Sequence, residues 1–343
     1  MKPIGPHLAR VITALNKGQP DRIPSFEWEI DDKVIAALVP GGNIYDFIES
    51  IDLDAVVIFA DTKKKQLDSH TYVDEWGVTQ RKTEEYYPIP IDYPVKDPAD
   101  LVHLVPPDPC SEWHFKTLEE AVNRFKGKRA IIFRAQDAFS IPRNLRGMEN
   151  IMMDFILNPE LAHQLVEIAV EYNSALAQCA VRLGADAIFM SDDYADNRGP
   201  MMSPRHFQKF LLPGLKSVIQ AIHAAGVPAI KHTDGNIMPI LDDILSTGVD
   251  CIDPLDPLGN MSIATLKEKF GTRVCIKGNV NIGGALSLGT PDEVRAETYA
   301  CIQAGKPGGA YILSTSNSIM SSVLPDNYMA MIQTLRKYGN YME

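Results

Sequence analysis

The sequence predicts a single (β/α)8 TIM barrel, an α/β fold, and two observations carry this prediction. Short apolar segments alternate with helical segments along the 343 residues of the chain. The apolar segments are rich in Val, Ile and Phe and are largely apolar on both faces, as expected for parallel strands covered by helices. A typical barrel needs about 250 residues. The chain therefore has room for one barrel and an insertion.

The predicted strands follow one another with helices between the later ones. The strands are Ile23–Glu29, Ala55–Ala60, Ala130–Arg134, Asp186–Met190, Pro228–His232, Asp250–Asp253, Arg273–Gly278 and Gly309–Leu313. The helices are Asn158–Leu183, Pro204–Ala225, Ile237–Thr247, Met261–Phe270 and Pro291–Ala304. Some begin with a first-turn proline after a capping residue, as at Ser203 and Thr290.

The surplus length lies after the second predicted strand. We expect residues 62–129 to form an insertion near the barrel mouth, with a polar, aromatic hairpin at Tyr72–Tyr87 and a proline-rich loop at Pro88–Pro109. The sequence contains no linker that divides the chain. Residues 1–343 are therefore predicted to form one domain.

Composition excludes several functional classes. The net charge of −11 argues against a nucleic-acid-binding surface, which needs a basic stripe. No apolar run approaches the ~20 residues of a membrane span, and the N-terminus lacks a signal-peptide core. We therefore expect a cytoplasmic protein without nucleic-acid or membrane partners. The five cysteines form no CxxC pair, so neither a disulfide framework nor a Cys-rich zinc site is expected.

Polar residues follow every predicted strand, where TIM barrels place their active sites. Any single carboxylate there is more often a helix cap or a solvated loop charge, but eight polar strand ends together favour a functional pocket. The predicted mouth is lined by Glu27, Glu29, Asp61, Asp192, His232, Asp234 and Asn279.

The segment His232-Thr233-Asp234-Gly235 is the sharpest candidate for a metal site. Two ligating side chains at i and i+2 can converge on one ion at a strand end, and Gly235 lets the backbone turn away. An oxygen-rich pocket with one histidine suits a divalent metal. The spacing alone also fits a structural histidine hydrogen-bonded to a nearby backbone group.

Several segments, taken in order, resemble the uroporphyrinogen decarboxylase superfamily, which includes cobalamin-dependent methyltransferases. They cover most of the chain and comprise residues 51–61, 202–207, 212–213, 232–236, 248–250, 254, 266–271, 289–294 and 308–313. The resemblance implies the TIM barrel and an enzyme.

Two branches of this superfamily imply different reactions. Decarboxylases carry an arginine-rich stretch near the first strand that grips carboxylates, whereas residues 24–32 of this chain are acidic. Methyltransferases bind Zn²⁺ through His-x-Cys and a later Cys, and here Asp234 replaces the first Cys while Ser314–Asn317 occupy the region of the second. Carboxylate ligands leave the metal a harder Lewis acid, suited to polarising an oxygen.

We therefore predict a corrinoid-dependent methyltransferase that moves a methyl group between a small O- or N-methyl compound and a corrinoid protein. Zn²⁺ is the expected metal, and a partner protein is expected to supply the cobalamin. The alternatives are a uroporphyrinogen decarboxylase and a non-catalytic barrel that binds a small metabolite. The fold also allows a homodimer.

Each candidate residue has a predicted role. The metal ligands are His232, Asp234 and either Glu27 or Glu29, and the proton donor is Asp61 or Asp192. The predicted substrate-binding residues are Arg134, Asp193, Tyr194, Asn236, Asn279 and Asn317.

Overall fold

The structure is a computed structural model that describes residues 4–83, 87–271 and 273–341. The strands are β1 (Ala55–Phe59), β2 (Lys64–Gln66), β3 (Thr71–Asp74), β4 (Thr79–Arg81), β5 (Ile89–Asp92), β6 (Ala130–Ala135), β7 (Ala187–Met190), β8 (Ala195–Asp196), β9 (Gly199–Pro200), β10 (Ala229–His232), β11 (Cys251–Asp253), β12 (Cys275–Lys277) and β13 (Tyr311–Ile312). The helices are α1 (Pro6–Leu15), α2 (Asp32–Leu38), α3 (Ile44–Ile51), α4 (Lys116–Phe125), α5 (Ser140–Arg146), α6 (Met148–Leu157), α7 (Pro159–Leu183), α8 (Pro204–His206), α9 (Leu212–Ala224), α10 (Leu241–Ser246), α11 (Ile263–Phe270), α12 (Pro291–Gly305) and α13 (Pro325–Tyr338).

A curled parallel sheet of seven strands forms the centre of the molecule, in the order β1-β6-β7-β10-β11-β12-β13. The eighth position is occupied by the segment from Ile23 to Ile30, which was predicted to be a regular strand up to Glu29. It makes only single bridges, such as Ser25 to Leu313, although the amide of Asp54 donates to the carbonyl of Ser25. Pro24 has no amide hydrogen, and the amide of Ser25 donates to the Asp54 carboxylate at 2.9 Å, so no repeated ladder can form.

The pleat of the strands separates two cores. Side chains at alternate positions, such as Ala130, Ile132 and Ile230, fill the barrel interior, which α1 closes from below with residues such as Val11. Their neighbours along each strand pack outward against the helices. By the same alternation, the strand-end residues Arg134, His232, Asp253 and Lys277 point inward.

The segment that follows β1 forms a four-stranded antiparallel sheet in the order β2-β3-β4-β5. The loop after it is joined to α7 by a disulfide between Cys110 and Cys179, whose Cα atoms lie 5.7 Å apart. This bond corrects the expectation from cysteine spacing. The two cysteines are 69 residues apart in sequence and meet only because the insertion folds back onto α7.

None of the helices in the described ranges is long and apolar enough to cross a membrane.

Candidate metal centre

Three side chains converge at the carboxyl ends of neighbouring strands. His232 Nε2 lies 3.7 Å from Asp193 Oδ1 and 3.6 Å from Asp234 Oδ1. One ligand atom from each residue lies within 4.8 Å of the others. Bonds of about 2.1 Å at tetrahedral angles place neighbouring ligand atoms roughly 3.4 Å apart. The spacing and the nitrogen and oxygen donors therefore fit a divalent metal such as Zn²⁺.

The ring of His232 is oriented from below by a buried chain of charges. Its Nδ1 lies 2.6 Å from Asp253 Oδ2, and the other oxygen of Asp253 accepts from Lys277 Nζ at 2.6 Å. All three side chains are buried. Because a carboxylate only accepts, Asp253 holds the hydrogen on Nδ1 and leaves Nε2 as the ligating atom, as in many metal-bound histidines.

Asp234 is held with one oxygen unengaged. Its Oδ2 accepts from Asn317 Nδ2 at 2.8 Å, and its amide donates to Asp193 Oδ1 at 3.1 Å. Its Oδ1 is buried without a hydrogen-bond partner among the described residues. A buried carboxylate oxygen that faces a histidine nitrogen is the kind of group that a cation completes.

Gly235 lets the chain turn immediately after this ligand, as the sequence predicts. Its φ is +78°, and a Cβ atom there would overlap the carbonyl group of Asp196. Only glycine satisfies both constraints without strain.

Burial and the closeness of several carboxylates shift the pKa values of the cluster. Burial alone would lower the pKa of His232, but Asp234, Asp253 and Asp193 together raise it above its usual value. Burial raises the pKa of Asp234 to about 6; the nearby Asp193 adds to this shift, and His232 opposes it. A cation bound here would relieve this crowding of negative charge.

An aromatic wall borders the cluster. The ring of Trp28 lies 4.9 Å from the ring of His232 and is stacked against Phe189 at 5.9 Å. On the same wall, the guanidinium carbon of Arg134 lies 5.4 Å from the Trp28 ring and 4.7 Å from the Phe59 ring.

Glu27 and Glu29, predicted as alternative third ligands, are not part of the cluster of three ligand atoms. Glu27 is buried and accepts from the amide and hydroxyl of Thr315. Burial raises its pKa to about 7, against the opposing effects of Lys277 and Thr315. Glu29 accepts from the hydroxyl of Tyr87 and faces the hydroxyl of Ser318. The third member of the cluster is Asp193, which the sequence placed among the substrate-binding residues.

Two cavities adjoin the aromatic wall. One of about 300 Å³ is lined by Glu27, Trp28, Glu29 and Asp61, among others, and one of about 350 Å³ is lined by Arg134 and by residues of the inserted sheet. Asp61 lies in the first cavity and accepts from the amide and hydroxyl of Thr117 at 2.9 and 2.8 Å.

Asp192 and Tyr194 do not reach the site. Asp192 is fully buried and accepts from the amides of Phe139 and Ser140 at 2.6 and 3.0 Å. Burial would raise the pKa of Asp192, but Lys231 and these donors hold it below its usual value, which does not suit a proton donor. Tyr194 donates its hydroxyl hydrogen to Asp137. These residues form a network with the buried Lys231 instead of lining the mouth.

Asn236 and Asn279 also have structural partners. The Oδ1 of Asn236 accepts from the amide of Met238 at 3.1 Å, and the amide group of Asn279 donates to the carbonyl of Leu255 at 2.6 Å. The side chains of both asparagines therefore stabilise loops around the barrel mouth. Asn317, in contrast, contacts the cluster directly through Asp234.

Asp253, Lys277 and Trp28 were not predicted to belong to the site. Asp253 follows the sixth predicted strand, and β11 lies beside β10 with Asp253 in register with His232. Pairing of consecutive parallel strands could have suggested this contact. Nothing in the sequence indicates that the ring of Trp28 lies against His232.

The fold and this centre together define an α/β protein of the TIM-barrel type with a candidate metal site at the carboxyl ends of its strands. Residues 45–338 match the model of the family described as Uroporphyrinogen decarboxylase (URO-D). The chain belongs to that family.

Its relatives include enzymes of two kinds. A methylated-thiol–coenzyme M methyltransferase of Methanosarcina mazei is 24% identical over 188 residues, which are 55% of this chain and 49% of that protein. The chain thus spans about half the length of that relative. A uroporphyrinogen decarboxylase of Chlorobaculum tepidum is 25% identical over 310 residues, or 84% of this chain and 82% of that one. The solved structure of a methyltransferase from Methanosarcina mazei superposes with a TM-score of 0.77 at 20% identity, over 97% of this chain and 98% of that one.

Proposed function

We propose that this protein is a methyltransferase that moves a methyl group between a small O- or N-methyl compound and a corrinoid protein, with Zn²⁺ held by His232, Asp234 and Asp193. The observation that carries the proposal is the cluster of one nitrogen and two carboxylate oxygens at metal-ligand spacing, with His232 oriented from behind by Asp253. The similarity to methyltransferases supports it as well.

The ligand set favours an oxygen or nitrogen substrate. When bound, the metal supplies Lewis acidity toward the heteroatom that carries the methyl group, and the corrinoid of the partner protein supplies the cobalt that exchanges it. Carboxylates are harder ligands than thiolates. The centre therefore suits the polarisation of an ether or amine better than the activation of a thiol.

The residues of the chain hold and orient the metal ligands, and they supply the proton. His232 and Asp234 are fixed by Asp253 and Asn317, so the centre is ordered before substrate arrives. Glu27 is our first candidate for the donor of a proton to the departing oxygen or nitrogen, because it lines the first cavity and its pKa of about 7 leaves it partly protonated near neutrality. Asp61, which lines the same cavity, is the second candidate.

The test combines metal analysis with a transfer assay. Zn²⁺-loaded protein is mixed with a reduced corrinoid protein and a panel of methoxylated and N-methylated compounds, and the cobalt spectrum is followed by absorbance. We expect His232→Ala to lose stoichiometric metal and at least 100-fold in rate, whereas the exposed His103→Ala keeps both. Equal rates for His232→Ala and wild type would refute the role of the metal.

Decarboxylation of uroporphyrinogen is the second candidate, since the decarboxylase of Chlorobaculum tepidum aligns with 84% of the chain. The acidic Glu27 and Glu29 in the first cavity disfavour a polyanionic substrate there, because each close like-charge contact costs about 1–4 kcal/mol at intermediate dielectric. Incubation with uroporphyrinogen distinguishes the two: loss of carboxylate groups from it would replace the methyltransferase proposal.

A further inference from the structure

Arg134 is a cation that forms no ion pair with the described residues. It points into the barrel from β6, in register with Phe59 on one side and Phe189 on the other. Its Nε donates to Ser191 Oγ at 2.7 Å, and its guanidinium lies over the faces of Trp28 and Phe59. Among the described residues, no carboxylate lies within ion-pair distance of its guanidinium. Arg134 is half-buried, and a charge that is partly withdrawn from water is stabilised by an anion, which here can come from outside the chain.

The acidic residues around Arg134 already have donors. Glu29 is held by Tyr87, and Asp192 by two backbone amides. In the cavity that Arg134 lines, Asp74 accepts from the amides of Trp76 and Val78, and Glu75 lies 3.0 Å from His114 Nε2.

A second cation of this cavity, Lys64, lies over the ring of Tyr72 at 5.0 Å. Within the described ranges it too has no carboxylate partner. The cavity therefore holds two cations that have no ion-pair partner among the described residues.

The position of Arg134 links this cavity to the metal centre. Phe59 lines both cavities, and the Trp28 ring contacts Arg134 on the one hand and His232 on the other. Arg134 also experiences the charge of Asp193, a member of the metal cluster. The Trp28 ring thus lies between Arg134 and His232. The cavity of about 350 Å³ suits a small molecule.

We infer that the methyl-bearing substrate is a small carboxylate, whose carboxylate binds the guanidinium of Arg134 while its methylated heteroatom lies at the Asp193–His232–Asp234 cluster. A guanidinium fork matches a carboxylate with two parallel hydrogen bonds. This inference rests on the proposed function for the identity of the methylated group, but the anion site itself can be tested by binding alone.

The test compares matched ligands that differ only in charge. Zn²⁺-loaded protein is titrated calorimetrically with 4-methoxybenzoate against 4-methoxybenzamide, and with methoxyacetate against 2-methoxyacetamide. We expect at least one carboxylate to bind tenfold or more tightly than its amide. Arg134→Gln should remove that preference, Arg134→Lys should keep part of it, and the exposed Arg205→Gln should keep all of it.

The outcomes separate this inference from the proposed function. Equal binding within both pairs, no binding of any probe, or a preference that survives in Arg134→Gln would show that Arg134 serves only to pack against Phe59 and Trp28, and would overturn the inference. The wild-type comparison decides the matter even if a variant fails to fold. A carboxylate preference without methyl transfer to the corrinoid protein would retain the anion site and refute the proposed function.

Discussion

Asp253 illustrates how much of the proposed chemistry depends on a residue that does not touch the metal position. It accepts from His232 and from Lys277, so its charge is shared between the ligand and a buried cation. Burial would raise the pKa of Asp253, but Lys277 and His232 hold it below its usual value. Asp253 therefore stays ionised and keeps Nε2 of His232 directed at the cluster.

We predict that Asp253→Asn weakens Zn²⁺ binding about 10–100-fold, because the amide no longer fixes the tautomer and orientation of His232. The measurement is competition with a chromophoric chelator, with the exposed Asp292→Asn as the control. The single variant also strands the charge of Lys277, so the double variant Asp253→Asn/Lys277→Met is needed. Normal affinity in a folded double variant would contradict the positioning role.

Glu27 carries a prediction about pH. Its pKa of about 7 lies above the usual 4.5, so folding favours the protonated form. The resulting stability is present below pH 4.5 and is lost as pH rises through about 7, by about 3 kcal/mol if the carboxyl is fully ionised. We expect Glu27→Gln to remove this loss in urea melts between pH 4.5 and 8. The exposed Glu268→Gln should behave as wild type.

The same residue should shape the rate profile. If Glu27 gives the proton, the transfer rate falls above about pH 7 in wild type, and Glu27→Gln is slow throughout without that descending limb. An unchanged limb in Glu27→Gln would assign the proton to another group, of which Asp61 is the next to replace.

At the scale of elements, the turn after β10 determines whether the ligands can meet. Gly235→Ala places a Cβ against the carbonyl of Asp196 at a φ of +78°, so we expect lower thermal stability and weakened Zn²⁺ binding. The conformational cost alone is about 1–2 kcal/mol. Gly226→Ala is a matched control, because Gly226 has a φ of +90° but an open space around its Cβ position. Equal effects of the two variants would show that the clash is unimportant.

The inserted segment is fastened to α7 by the Cys110–Cys179 disulfide. A bond across 69 residues removes about 4 kcal/mol of loop entropy from the unfolded chain, before any strain is subtracted. We expect Cys110→Ser to melt at a lower temperature than wild type under non-reducing conditions, and wild type with dithiothreitol to match the variant. Mass spectrometry after thiol alkylation is the check. Five alkylated cysteines in the untreated protein would contradict the bond.

The sequence predicted the regular elements better than the site because the two depend on different information. Strands such as Ala55–Ala60 and the capped helix at Pro291–Ala304 follow from local patterns, and the structure places them within one residue of the predicted ends. The segment Ile23–Glu29 has the composition of a strand, but a proline and a captured amide prevent a ladder.

The structure places some candidate residues away from the site because of the direction of their side chains. Ser191 and Asp192 both follow β7, yet the pleat turns Asp192 outward to the amides of α5 and its flank. That Asp193 lies in the cluster instead of Glu27 or Glu29 has a different origin. Convergence on His232 depends on which strand ends are close in space, and residue type does not reveal that.

At the scale of the whole molecule, metal binding and stability are linked. The ligands come from the loop after β7 and from the end of β10 and the turn beyond it, so they assemble only in the folded chain, and Zn²⁺ at 100 times its dissociation constant should stabilise that chain by about 2.7 kcal/mol. At about 2.1 cal/mol/K of unfolding entropy per residue, this corresponds to a rise of about 4 °C in Tm for 343 residues. We expect calorimetry to show this rise when Zn²⁺ is added to chelator-treated wild type but not to His232→Ala, while His103→Ala responds as wild type. A rise of the same size in His232→Ala would place the stabilising ion elsewhere on the surface, and the Asp193–His232–Asp234 cluster would then not be the metal centre.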